Sequence, residues 1–329
     1  MTKAVGLIGL GHYIPDRVMT NDELSKIVDT SDEWIVERTG IKERHLVEAD
    51  VSTSDIATIA AKEALENAGV APEELDLIIL ATATPDHAFP STACLVQRNL
   101  GAVNAAAFDI SAGCSGFVYC ISIASQMIRG GLYKKILIIG AETLSHIINW
   151  QDRNTCVLFG DGAGAGVVAE VEDGYGVLGI DMGADGNGGK HLFQPAGGSR
   201  KPASPETVAA NEHTIHMNGH EVFKFAVRVL GQTANRALAN AGMTADEIDL
   251  LVPHQANLRI ITSAAKRLKL PMEKVFVNVH KYANTSAASI PISLYEAEKE
   301  GKLKKGMNIL LDGFGAGLTW CSIVMKWAK

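Results

Sequence analysis

The chain has 329 residues, 47% of them hydrophobic and 20% charged, which is apolar material for about two ordinary domains with a sizeable core. A formal charge of −7 and a pI near 5.8 exclude a general nucleic-acid binder, which needs a basic surface to displace counterions from phosphates. Five cysteines without a CxxC pair exclude a disulfide framework and point to a reducing, cytoplasmic setting, and no apolar run reaches the roughly 18 to 20 residues of a membrane helix.

From the N-terminus, "GLIGLGHYIPDR" predicts a first strand closed by a turn at Pro15. "TSDIATIAAKEALENAG" from Thr53 predicts a helix, with a capping residue, apolar positions three and four apart, and Gly69 as its stop. The segment "AGVAPEELDLII" from Ala68 returns as "AGMTADEIDLLV" from Ala241, an offset of 173 residues. Each copy reads as a helix end, a turn and a buried strand. "KILII" from Lys135 and "NILLD" from Asn308 keep the offset of 173, and "GLIGL" from Gly6 is echoed more weakly by "GVLGI" from Gly176 at 170. These echoes predict an α/β fold built as a duplicated unit, residues 1–172 and 173–329, with mainly parallel sheet covered by helices. Open α/β sheets bind ligands beyond the carboxyl ends of their strands, so chemistry is expected there.

Cys114, in "NAAAFDISAGCSGFVYC", follows a predicted strand and opens a helical stretch that stops at Gly130 and Gly131. A helix N-terminus favours a thiolate, so a lowered thiol pKa is expected. Taken alone, a cysteine is more often a small buried hydrophobe. His254 ends the strand "DLLVPHQAN", and Asn284 in "HKYANTSAAS" precedes another helix start, opposite Ser111 by the offset of 173. Each alone reads as a structural histidine or a cap. Together with Cys114 they set a thiol, an imidazole and an amide on one edge of paired sheets. "GLGHYI" and "GDGAGAG" lack the context of a dinucleotide loop, and His213, His216 and His220 cross a predicted strand and turn, so neither NAD nor a metal is expected. Residues Asp185 to Asn211 show no periodicity and read as a long functional or mobile segment.

"SAGCSGF", "VPHQANLRII", "NTSAASIP" and "GFGAGLTW" together resemble the β-ketoacyl-acyl-carrier-protein synthase III family, and the likeness runs over essentially the whole chain. The resemblance implies a thiolase-like fold, two pseudo-repeated α/β halves in αβαβα layers, acting as a homodimer. It implies condensation of an acyl-CoA, first of all acetyl-CoA, with malonyl-acyl-carrier protein, and no cofactor beyond the CoA thioester. It makes Cys114 the nucleophile, His254 and Asn284 the pair handling the malonyl group, and the backbone N–H groups of Cys114 and Ala316 the oxyanion donors. Trp34, Arg38, Arg153, Gly219 and Asn257 would bind CoA. Leu144, Phe159, Met217 and Phe314 would line the acyl pocket, with Phe89 reaching in from a partner copy. Lys224, Arg228, Arg259, Lys266 and Arg267 would offer a basic face to an acidic carrier protein. Apart from the resemblance, the irregular composition of the 185–211 segment makes it a flap over the acyl pocket as an expectation.

Two positions depart from the family pattern: Ala316 in a loop that commonly reads Gly-Gly-Gly, and Ala283 where glycine is common. A thiolase is disfavoured because Asp312 precedes the C-terminal glycine loop and Cys321 follows it, and elongating synthases pair two histidines. A secondary-metabolite synthase with another starter and a silent acyl-CoA-binding module remain as alternative readings.

Overall fold

Two sheets frame the structure, a computed structural model that describes residues 3–329. The first runs, in spatial order, Val5–Tyr13, Gly162–Glu170, Lys135–Glu142, Leu77–Ala81 and Ala106–Ile110, the last three strands being parallel. The second runs Gly176–Ala184, Thr319–Lys326, Asn308–Gly315 and Leu250–Pro253, with the same succession of antiparallel and then parallel pairs. Its fifth position shrinks to a single bridge between Leu251 and Val275. The Gln255 side chain replaces the missing ladder: Oε1 accepts from the N–H groups of Asn278 and Val279 (3.0 and 3.1 Å), and Nε2 donates to the carbonyls of Pro253 and Phe276 (2.9 and 3.1 Å).

The repeated sequences fold alike. Helices Thr53–Ala68 and Gly219–Ala241 end at left-handed Gly69 and Gly242, pass through the 3-10 turns Pro72–Glu74 and Ala245–Glu247, and enter strands at Leu77 and Leu250. The weaker echo at 170 residues is a packing device. A Cβ on Gly9 would stand 2.5 Å from the Ala64 carbonyl oxygen, and one on Gly179 would stand 2.3 Å from that of Ala237. Glycine lets each helix lie directly on its strand.

The strands read as unbroken apolar runs because both faces are covered. Leu77, Ile79, Ile136 and Ile138 from the first sheet, with Leu250, Val252, Ile309 and Leu311 from the second, share one core with the central helices Gly116–Arg129 and Ser289–Lys299. Ile78, Leu80, Leu137 and Ile139 turn to the other face under Thr53–Ala68, while Leu251 and Leu310 pack under Gly219–Ala241 and Leu258–Leu268. The result is five layers, αβαβα. Each central helix is entered from a 3-10 turn, Gly113–Ser115 or Ser286–Ala288, again 173 residues apart.

The 185–211 segment holds more structure than its sequence suggests: a 3-10 turn Gly186–His191, a strand Leu192–Phe193 paired with His216–Met217, and a helix Pro205–Ala209. Pieces this short carry no periodicity. Among the described residues, no helix is long and apolar enough to cross a membrane, and no three His, Cys, Asp or Glu side chains cluster as metal ligands.

Candidate active site

A cavity of about 740 Å³ opens beyond the strand ends, with Cys114, His254, Asn284, Phe314 and Gly315 on its wall and Trp34, Arg38, Arg153 and Arg259 toward solvent. The sequence therefore placed three chemically distinct groups on one cavity although 170 residues separate the first from the last.

Cys114 lies in the middle of the Gly113–Ser115 turn, just before the helix rather than within its first turn. A Cβ on Gly113 (φ 52°) would stand 2.6 Å from the Ala316 nitrogen, and one on Gly315 would stand 2.4 Å from the Cys114 nitrogen. These two glycines press the backbone nitrogens of Cys114 and Ala316 side by side. The left-handed φ of the loop falls on Gly317 (136°), so alanine fits at position 316.

The expected lowering of the thiol pKa is not found. Burial pushes the Cys114 thiol up to about 12, with the Glu142 carboxyl adding to the rise and the Ser286 hydroxyl opposing it. The residue reaches the cavity, but its sulfur is otherwise walled in, and the cost of stripping water from a thiolate exceeds the pull of one helix end. Cys114 is held as a neutral thiol.

His254 follows strand Leu250–Pro253, its N–H donating to the Asp312 carbonyl at 2.9 Å. The ring is buried, edge-on to Phe314 with centroids 5.4 Å apart, and Nδ1 lies 2.6 Å from Ser289 Oγ. Ser289 Oγ accepts from the Gln255 N–H (3.4 Å), and among the described residues its proton has no acceptor other than Nδ1; donation to Nδ1 leaves the ring proton on Nε2. Burial lowers the His254 pKa to about 3, so the imidazole is neutral.

Asn284 is clamped through its backbone, donating to the Leu158 carbonyl (2.9 Å) and accepting from the Gly160 N–H (3.1 Å). Its Oδ1 accepts from the Ser286 N–H at 2.8 Å, which leaves Nδ2 as a donor for the cavity. The neighbouring Ala283 is buried at φ 55°, ψ −155°, a region that glycine alone occupies without strain.

Toward solvent, the guanidinium carbons of Arg38 and Arg153 lie 4.5 and 4.8 Å from the Trp34 ring centroid. Asn257 caps helix Leu258–Leu268 by accepting from the Arg259 N–H (2.8 Å) and ties the Arg38 carbonyl to it (3.0 Å). Gly219, Phe159, Met217 and Phe314 line the cavity. Leu144 instead is buried in the apolar cluster that also holds Phe159, and Phe89 is 86% exposed outside the cavity. Lys224, Arg228, Arg259, Lys266 and Arg267 are exposed on the two packed helices Gly219–Ala241 and Leu258–Leu268. Sequence reasoning missed Ser289, which orients His254, and Glu142 and Ser286, which act on the Cys114 thiol. Ser289 carries no signal beyond its place in "NTSAAS".

The duplicated αβαβα fold, with a cysteine, a histidine and an asparagine on one cavity, is that of the thiolase-like proteins. Residues 108–186 match the family model described as 3-oxoacyl-[acyl-carrier-protein (ACP)] synthase III, and residues 238–327 match the model of its C-terminal part. The beta-ketoacyl-[acyl-carrier-protein] synthase III of Caldanaerobacter subterraneus subsp. tengcongensis is 61% identical over 326 residues, covering 99% of this chain and 98% of that one. The crystal structure of 3-oxoacyl-[acyl-carrier-protein] synthase III from Aquifex aeolicus superposes with a TM-score of 0.91 at 51% identity, covering 98% of this chain and 100% of that one. The priming β-ketosynthase of the R1128 polyketide pathway superposes equally well, TM-score 0.91, at 34% identity over 100% of this chain and 98% of that one. This chain belongs to the 3-oxoacyl-[acyl-carrier-protein] synthase III family and is an acyl-transferring enzyme.

Proposed function

We propose that the protein initiates type II fatty acid synthesis by joining a short acyl-CoA, acetyl-CoA first of all, to malonyl-acyl-carrier protein. The observation that carries this reading is the convergence of Cys114, a neutral His254 and an Asn284 with a free amide on one cavity. The chain is 61% and 51% identical to two proteins named 3-oxoacyl- or beta-ketoacyl-[acyl-carrier-protein] synthase III, against 34% to the priming ketosynthase of a polyketide pathway, which favours the fatty-acid role.

In the first half-reaction Cys114 attacks the thioester carbonyl of acyl-CoA, and CoA leaves. The adjacent N–H groups of Cys114 and Ala316 hold the oxyanion in this reading, which the close approach of the two loops at Gly113 and Gly315 supports. In the second, malonyl loses CO2, and negative charge develops on its thioester oxygen. Two neutral donors suit that charge, His254 Nε2–H and Asn284 Nδ2–H, because neither loses a proton to it and both are held by partners on their far side. The enolate carbon then attacks the acyl-cysteine, releasing 3-oxoacyl-carrier protein. The CoA thioester is itself the activated substrate, so these steps call on no cofactor.

Trp34 with Arg38 and Arg153 suits the purine and phosphates of CoA, and the exposed basic residues around Arg259 suit an acidic carrier protein. A homodimer fits two features: exposed Phe89, and Ala106–Ile110 at the sheet edge with its apolar residues partly open. Intact mass after mixing with acetyl-CoA tests the reading. A gain of about 42 Da that disappears in Cys114→Ala and is discharged by malonyl-carrier protein supports it. Absence of any adduct with acetyl, branched or longer acyl-CoA defeats it.

A further inference from the structure

Glu142, the last residue of strand Lys135–Glu142, is completely buried, and no step above uses it. Its Oε2 accepts from Thr82 Oγ1 (3.2 Å), the Ala83 N–H (3.0 Å) and Thr84 Oγ1 (2.9 Å). Its Oε1 is buried without a hydrogen-bond partner among the described residues. An open carboxyl oxygen in a dry site is costly, and such groups are exceptions that call for a role.

The surroundings show what that role can be. The Ser286–Ala288 turn packs on both the Glu142 strand and the Gly113–Ser115 turn. Gly140 allows the approach, since a Cβ there would stand 2.2 Å from the Ala287 carbonyl oxygen. Ser286 is held at φ 47°, the left-handed region that residues with side chains rarely adopt. Its hydroxyl stabilises the ionised forms of both Cys114 and Glu142, while Glu142 itself opposes ionisation of the thiol. Thiol, hydroxyl and carboxyl are thus coupled neighbours, with the unpartnered carboxyl oxygen as the remaining acceptor.

We propose that Glu142, acting through the Ser286 hydroxyl, stores the Cys114 proton while the cysteine carries the acyl group and returns it when the acyl group leaves. This rests on Cys114 being the acyl carrier. In the first half-reaction the Cys114 sulfur bonds to the acyl carbon as the thiol proton passes to Ser286 Oγ and the Ser286 proton passes to Glu142. The acyl–CoA bond breaks with its electron pair on the CoA sulfur, which takes a proton from water. In the second, the bond between the Cys114 sulfur and the acyl carbon breaks with its pair on sulfur. The Ser286 proton moves to that sulfur and the Glu142 proton refills Ser286, so thiol and carboxylate are restored. Burial raises the Glu142 carboxyl, which favours its holding a proton, while the hydrogen bonds from Ala83, Thr84 and Thr82 oppose the rise and favour the resting carboxylate.

The test is infrared difference spectroscopy of the whole enzyme, acetylated minus free, with intact mass measured in parallel on wild type, Glu142→Gln and Ser286→Ala. Wild type is expected to gain a protonated-carboxyl C=O band on acetylation, distinguished from the thioester band by its shift in D2O. Glu142→Gln keeps an acceptor for the three donors at Oε2; it should lack the band and acetylate on the order of a hundredfold more slowly. Ser286→Ala should lose the band while keeping Glu142, which carries the test if the glutamine variant does not fold. Wild type acetylated on Cys114 without the band, or Glu142→Gln acetylating at the wild-type rate, overturns the proposal. Wild type that forms no acetyl-Cys114 defeats the proposed function first, and this proposal with it.

Discussion

Ser289→Ala is the sharpest probe of how His254 works. The substitution removes the hydroxyl 2.6 Å from Nδ1 and nothing else in contact with the ring's polar atoms. Without it Nδ1 is a buried nitrogen with no partner, and the ring can recover a hydrogen-bonding role by moving its proton from Nε2. Leaving a buried polar group unpaired costs about 1–3 kcal/mol. If that cost falls on the donor needed at the malonyl oxygen, condensation slows about 5- to 150-fold at 1.36 kcal/mol per decade. The assay separates the half-reactions: acetylation of Cys114 by intact mass, then discharge of preformed acetyl-enzyme by malonyl-carrier protein. Acetylation should stay near the wild-type rate, discharge should fall, and Ser289→Thr, which keeps a hydroxyl, should recover most of it. Equal losses in both half-reactions, or undiminished discharge, would refute the assignment of the Nε2 proton.

The buried neutral imidazole also sets a pH dependence of stability. The folded pKa of His254, about 3, lies below the unfolded value near 6.5, so the unfolded chain takes up the proton first. Stability from this group is complete above 6.5 and falls by up to about 1.4 kcal/mol per pH unit toward 3; His254→Asn should unfold with a correspondingly shallower acid slope, and identical slopes would count against it. Trp34→Ala should raise KM for acetyl-CoA about tenfold with kcat little changed, read from steady-state kinetics of the complete reaction at saturating malonyl-carrier protein. Arg259→Glu should weaken use of malonyl-carrier protein while acetylation of Cys114 is largely kept, and equal losses in both would remove Arg259 from the docking face. Ala283→Gly relieves backbone strain of about 1–3 kcal/mol against an entropy cost of about 0.4–1 kcal/mol, so the melting temperature should rise.

Much of this protein is written locally. The offset of 173 residues marks equivalent helix ends, turns and strands because each copy carries its own stop glycine and its own run of apolar residues. Strands covered on both faces need no alternation, so runs such as Leu77–Ala81 declare their burial directly. The same arithmetic put Cys114, His254 and Asn284 at strand ends on one edge, and the cavity gathers them.

Protonation, partners and pocket walls were decided elsewhere. A helix start beside Cys114 suggests a thiolate, but the thiol is set by how much water the tertiary fold removes and by Glu142, which reaches it from another strand. The missing fifth strand of the second sheet is filled by one glutamine side chain, a substitution that strand patterns cannot show. Leu144 and Phe159 look alike in sequence and are buried in one cluster, yet only Phe159 lines the cavity. Local propensity is carried by neighbours along the chain, whereas desolvation, charge coupling and shape depend on residues from different elements that only the fold brings together.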